Sequence, residues 1–201
     1  MIAEILESDP ITLSLPESVR MSDHDFFEFC QLNRDWKFER TAEGEILIMA
    51  PTSYLSGDTN AELTMQLRLS AKRDGAGRTF DSNTGFILPN GAVRSPDAAW
   101  VRKARIRQLG IVPDEFLRLC PDFIVEMRSP SDRLSTLQAK MREYLANGVQ
   151  LGWLIDRRAR KVTVYRPDQP VETLNEPLTI SADPELPGFT LDLQPIWDPE
   201  S

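Results

Sequence analysis

Apolar residues recur along this chain at spacings that separate helix from strand. Ser22 is followed by Phe26, Phe27, Phe29 and Cys30, which predicts a helix running to about Asn33, with Ser22 as N-cap and Asp25 as its capping-box acid. Residues 36–40 and 45–49 read as a hairpin turning at Glu43-Gly44 and closed by Pro51. Between 56 and 72 the period is ambiguous. Ala61, Leu63, Met65, Leu67 and Leu69 alternate with polar neighbours as in a strand, yet most residues are strong helix formers and the stretch is too long for a strand. The expectation is a helix buried on two sides. Residues 79–81 and 85–88 predict short strands, Pro89-Asn90-Gly91 a turn, 97–101 a strand, and 103–109 a short basic helix. Residues 123–127 are almost continuously apolar, as in a central strand. Ser129-Pro130-Ser131-Asp132 marks a break, with Asp132 as the expected helix cap. Leu134, Leu137, Met141, Tyr144 and Leu145 then line one face of a helix ending at Asn147-Gly148, and 151–155 and 161–165 form a strand pair.

This alternation of strands and helices predicts an α/β fold, a mixed sheet flanked by helices. It divides the 201 residues into an irregular lead-in (1–21), a core domain (22–167) and a proline-rich C-terminal extension (168–201) packed peripherally on that domain. With 41% hydrophobic and 27% charged residues the composition is that of an ordinary globular chain. No apolar run approaches a membrane span, and the first 15 residues carry acids and no base, unlike a secretory signal, so the expected location is the cytoplasm. Cys30 and Cys120 are far apart and lack zinc spacing, and His24 is the single histidine. Any bound metal must therefore be held mainly by oxygen.

Charge changes the picture. The net charge of −8 argues against a protein that coats nucleic acid, but residues 94–166 hold 15 Lys/Arg against 8 Asp/Glu. A basic middle between acidic ends suits an anionic ligand bound at one face.

Two acids stand out. Asp97 opens an apolar strand, and Glu126 interrupts the apolar run Phe123-Ile124-Val125-Glu126-Met127. A carboxylate in a central strand is costly to bury unless something positive meets it. Two such carboxylates at adjacent strand ends can share Mg²⁺, and the ion activates water for attack on a phosphodiester. Strand alternation places Arg128 on the face of Glu126, and Lys140 on the following helix offers a second cation, with Gln138 beside it. Asp122 lies about 13 Å from Glu126 at strand rise and reads as the start of the strand rather than a ligand.

At these residues the chain resembles the PD-(D/E)xK nuclease superfamily, with Pro96-Asp97 and Glu126-Met127-Arg128 carrying the pattern. It is more specifically similar to a bacterial family of restriction-endonuclease-like proteins, through Arg94-Ser95-Pro96-Asp97, the run from Pro121 to Asp132, the helix around Lys140, and Gly152-Trp153-Leu154-Ile155-Asp156. The resemblance implies a restriction-endonuclease-like core, Mg²⁺ (with Mn²⁺ substituting) at Asp97 and Glu126, and an upstream helical acid, for which Glu62 is the match. Arginine at position 128 departs from the usual lysine, so Lys140 takes that role or Arg128 only stabilises charge. Catalytic roles thus fall on Asp97, Glu126, Arg128, Lys140 and Glu62, and substrate contacts on Gln138, Arg94 and Ser129.

The leading expectation is a metal-dependent endonuclease acting on DNA. A second is a nuclease-like fold retained to bind nucleic acid or a protein. A metal-free two-carboxylate glycosidase ranks behind both, because the basic middle has no role in it. A homodimer would suit a helix apolar on two sides and the cutting of two strands.

Overall fold

The computed structural model describes residues 10–110 and 115–199. In chain order they form β1 (Ile11–Leu13), α1 (Asp23–Leu32), β2 (Lys37–Arg40), β3 (Ile46–Met49), α2 (Tyr54–Asp74), β4 (Gly77–Asp81), β5 (Phe86–Ile87), β6 (Val93–Arg94), β7 (Ala98–Arg102) and α3 (Lys103–Gln108). There follow β8 (Phe123–Met127), α4 (Leu134–Ala146), β9 (Leu151–Asp156), β10 (Lys161–Tyr165), β11 (Glu172–Asn175), β12 (Thr179–Ser181), β13 (Thr190–Asp192) and α5 (Gln194–Trp197).

A mixed sheet of order β11-β10-β9-β8-β7-β4 forms the centre. Strands β8 and β9 run parallel, and α4 makes the crossover that a parallel pair requires. Side chains alternate as the pleat dictates. Ala98, Trp100, Phe123 and Val125 join the core with Leu63, Leu67 and Ala71 of α2. On the other face Ala99, Val101 and Ile124 meet Met141 and Tyr144 of α4. Gly77 on β4 lies under the Trp100 indole, where a Cβ would come within 2.0 Å of the ring.

A second sheet of order β1-β3-β2-β6-β5 packs its apolar side against α1, with Phe26, Phe38, Ile46, Ile87 and Val93 buried between them. Helix α1 begins with the expected capping box: the Ser22 hydroxyl accepts the Asp25 N–H at 3.1 Å, and the Asp25 carboxylate accepts the Ser22 N–H at 3.2 Å.

The α/β fold, the α1 cap and the central placement of β8 agree with the sequence pattern. Three expectations do not survive, and one strand went unforeseen. The lead-in is not wholly irregular, since β1 pairs with β3. Strand β6 was not expected, because two residues are too few to show a period. The C-terminal segment is not peripheral: Ile180, Leu186, Phe189, Leu191, Leu193 and Ile196 are buried in the core beside α2. Finally, α2 buries one side alone, with Met65 and Leu69 47% and 52% exposed.

Both thiols are pushed above their ordinary range by burial, Cys30 to about 11 and Cys120 to about 12, which makes them poor nucleophiles. No helix among the described residues is long and apolar enough to cross a membrane.

Candidate active site

Strand register brings the two carboxylates together. Ala98 pairs with Val125 in the last rung of the antiparallel β7–β8 ladder, so Asp97, just before Ala98, and Glu126, just after Val125, flank the same end of it. Asp97 sits just before β7, half-buried. Its Oδ2 accepts the Met127 N–H at 2.8 Å, and its Oδ1 accepts Nδ2 of Asn60 from α2 at 3.1 Å. These contacts leave the Asn60 Oδ1 buried with no hydrogen-bond partner among the described residues.

Helix α4 supplies the positive charge. Lys140 and Tyr144 are one turn apart and so share a face. Both reach Glu126 Oε1, the ammonium at 2.8 Å and the phenol hydroxyl at 3.1 Å. The Lys140 ammonium also donates to Glu39 Oε1 at 2.9 Å. Glu39 comes from β2 in the other sheet and is 2% exposed. Its Oε1 also accepts the Ser95 N–H at 3.0 Å, and its Oε2 accepts Arg94 at 3.2 Å. Arg94 is held from the other side by Glu143, at 2.6 Å. Glu39 thus ties the Ser95-Pro96-Asp97 segment to α4.

Burial pushes the three carboxyls upward, and their neighbours decide the outcome. For Glu39 the desolvation is outweighed by Lys140, Arg94 and Lys37, and its carboxyl is held down at about 2. For Glu126 burial prevails. Lys140 opposes the rise, Asp97 and Glu39 add to it, and the carboxyl reaches about 7. Asp97 is also raised, chiefly by burial, against the pull of Lys37 and the Met127 N–H. The Lys140 ammonium is stabilised despite its burial, because Glu126 and Glu39 flank it.

Of the residues singled out in the sequence, Asp97, Glu126 and Lys140 converge, and Arg94 stands behind them, engaged by Glu39 and Glu143. Others are elsewhere. Strand β8 stops at Met127, so alternation no longer governs Arg128, whose guanidinium donates to Asp156 at 2.7 Å and to the Asp132 carbonyl at 3.2 Å. Glu62 accepts from Gln66 at 2.8 Å, and Gln66 is bonded to the Asp192 backbone. Two positions on a helix differ by about 200°, so Glu62 cannot face Asp97 while Asn60 does. The same turn separates Gln138 from Lys140 on α4. Ser129 lies in the turn after β8, its N–H donating to the Asp132 carboxylate at 2.7 Å. That bond replaces the helix cap expected of Asp132, since α4 starts after Arg133 with no side-chain cap. Asp122 anchors the start of β8, accepting the Arg102 N–H at 2.9 Å and pairing with Arg105 at 3.2 Å.

Sequence reasoning missed Glu39, Asn60 and Tyr144. A usable signal existed for Glu39, an acid inside the short strand Lys37-Phe38-Glu39-Arg40, but alternation there reads as a solvent face.

Among the described residues no three His, Cys, Asp or Glu side chains converge on one cation position. A Mg²⁺ site does not need three: one or two carboxylates with retained waters suffice. Asp97 and Glu126 are two carboxylates of the kind such a site uses, and the unpartnered oxygen of Asn60 belongs to the side chain that bonds Asp97. Asp97 and Asn60 also line a cleft of about 490 Å³ beside α2, with Thr64, Arg68, Asp81 and Ser82 further along it.

The family model described as "Uma2: Putative restriction endonuclease" matches residues 23–194. A crystal structure described as a "putative nuclease belonging to DUF820", from Anabaena variabilis ATCC 29413, superposes with a TM-score of 0.69. It is 21% identical in sequence, and the match covers 80% of this chain and 89% of that one, a likeness of fold. No curated protein matches the chain significantly.

Proposed function

The chain belongs to the Uma2 family of restriction-endonuclease-like proteins, and from that premise we propose that it is a divalent-metal-dependent endonuclease hydrolysing phosphodiester bonds of DNA. The observation that carries the reading is that Asp97 and Glu126 flank the same end of the β7–β8 ladder, with the Lys140 ammonium 2.8 Å from Glu126.

Asp97 and Glu126 would hold Mg²⁺, or Mn²⁺ in its place, and Asn60 would keep Asp97 in position through its amide N–H. The ion, when bound, polarises a phosphoryl oxygen and lowers the pKa of a water. Lys140 offsets negative charge that develops on the phosphoryl oxygens, from a low-dielectric position where such a charge acts strongly. Because its flanking carboxylates stabilise the ammonium, Lys140 stays protonated at neutral pH and is no general base. Arg94 and Tyr144 hold the acids in place and do not meet the substrate. The cleft along α2 opens from Asp97 and offers a path for the strand.

The alternative of a binding module rested on arginine standing at position 128 and on the acidic net charge of −8. Lys140 at Glu126 supplies a cation in place of the family's usual lysine, which weakens the first of these supports and leaves the second.

Protonation of Glu126 gives a prediction of definite sign. Its folded-state carboxyl, at about 7, lies above the ordinary glutamate value of 4.5, so the folded protein retains a proton that the unfolded chain releases. Stability from this group is therefore fully present below about 4.5 and lost as pH rises toward 7, a trend that urea titrations of the metal-free protein will report. A cation must displace that proton, so Mn²⁺ affinity should climb between about pH 5.5 and 7.5 and then level off. Calorimetry in buffers of different ionisation enthalpy should show proton release on the acid side alone. Release that does not depend on pH would exclude Glu126 as the group displaced.

A homodimer belongs to this proposal too. Leu69, 52% exposed on α2, would lie against the second copy, whereas Met65 lines the cleft given to the strand. Light scattering at micromolar concentration should give twice the chain mass of 22.8 kDa, and a monomer mass rejects it.

A further inference from the structure

Lys140 is shared by two carboxylates, Glu126 at 2.8 Å and Glu39 at 2.9 Å, and of these Glu126 alone flanks, with Asp97, the end of the β7–β8 ladder. No third acid joins Asp97 and Glu126 on a common cation position among the described residues, so Glu39 is placed as a partner of Lys140 and not as a ligand. Glu39 is also fixed. It is 2% exposed and bound by the Ser95 N–H and by Arg94.

We propose that Glu39 is a positioning residue of the active centre: it takes over the whole charge of Lys140 when Glu126 turns to the cation. This rests on the reading that Asp97 and Glu126 bind a divalent cation. A buried ammonium without a counter-charge is costly. If Glu126 were the single anion beside Lys140, cation binding would strip the ammonium of its partner, and the penalty would appear as weak cation affinity. Glu39 removes that conflict. It lets one carboxylate serve the cation while the ammonium stays charged, buried and aimed at the same place. The N-terminal sheet thereby becomes part of the reaction machinery through one side chain of β2. Cation affinity is coupled to Glu39 through Lys140, without contact between Glu39 and the ion.

The test is Mn²⁺ titration by calorimetry on the full chain, as wild type, Glu39→Gln, Lys140→Met and the double variant, with circular dichroism as the check of folding. Glu39→Gln should weaken Mn²⁺ binding by about 10–100-fold, the range seen when an outer-shell partner is lost. The double variant should recover to within about threefold of wild type while failing to cleave DNA, because no ammonium is left to compete for Glu126. A Glu39→Gln protein that binds Mn²⁺ like wild type overturns the proposal, and so does a double variant as weak as the single one. If Glu39→Gln does not fold, Lys140→Met compared with the double variant answers the question. Equal affinities support the coupling, and a further loss of about tenfold would make Glu39 a ligand and overturn it. A wild-type protein that takes up no Mn²⁺ sinks the cation reading itself, a result distinct from all of these.

Discussion

Glu126→Gln is expected to lose Mg²⁺-dependent DNA cleavage by at least about 10³-fold while keeping its fold. Glutamine preserves the volume and one oxygen, so the Tyr144 hydroxyl keeps an acceptor, and Lys140 keeps the Glu39 carboxylate at 2.9 Å. Because burial already lifts the Glu126 carboxyl to about 7, a neutral group at this position suits the metal-free protein. The stability change should therefore stay within about 1–2 kcal/mol by urea denaturation. What the amide lacks is a negative charge for the cation. Nicking of supercoiled plasmid by purified protein, with an RNA substrate in parallel, measures the effect. Undiminished nicking by the variant would mean that the activity resides elsewhere or in a contaminant, and the assignment would fall.

Lys140→Met should have the largest effect on stability, about 3–5 kcal/mol, the range for leaving one partner of a buried ion pair uncompensated. The side chain is 12% exposed between carboxylates that are 2% and 5% exposed. The damage should depend on pH. Arg94 and Ser95 still hold Glu39, so the group left unpaired is Glu126, which can escape its penalty by taking up a proton. The deficit should be greatest at pH 8 and shrink toward pH 6, and saturating Mn²⁺ should restore part of it. For a chain of this size, the loss at pH 8 corresponds to a midpoint lowered by about 6–20 °C. A variant as stable as wild type at pH 8 would show that Lys140 neutralises no buried charge.

Both predictions concern residues that could be read from the chain before folding was considered, and the reason is the same for each. An acid inside Phe123-Ile124-Val125-Glu126-Met127, or at the head of Ala98-Ala99-Trp100-Val101, contradicts its own local period, and a contradiction of that kind needs a function to sustain it. Lys140 was legible as a cation on the helix that had to follow β8. Arg128 was misplaced because alternation was carried one residue beyond the end of the strand. Glu62 was misplaced because the mixed period of 61–69 established a helix without fixing its rotational phase. The residue of α2 that reaches Asp97 is Asn60.

Glu39 and the C-terminal segment mark the boundary between the two kinds of knowledge. By itself the chain determined the α/β class, the cap of α1, the central strand β8, the helix α4 and the pair Asp97–Glu126. These follow from backbone periodicity and from the cost of a carboxylate in apolar company, and neighbours within a few residues reveal both. Tertiary structure alone decided that Glu39 enters the site from the other sheet, that Asn60 faces Asp97, and that the proline-rich tail from Ile180 to Trp197 completes the core beside α2. Coulomb attraction between residues 101 positions apart, such as Glu39 and Lys140, acts only once packing has brought them together and expelled the water between them. No local pattern records that meeting.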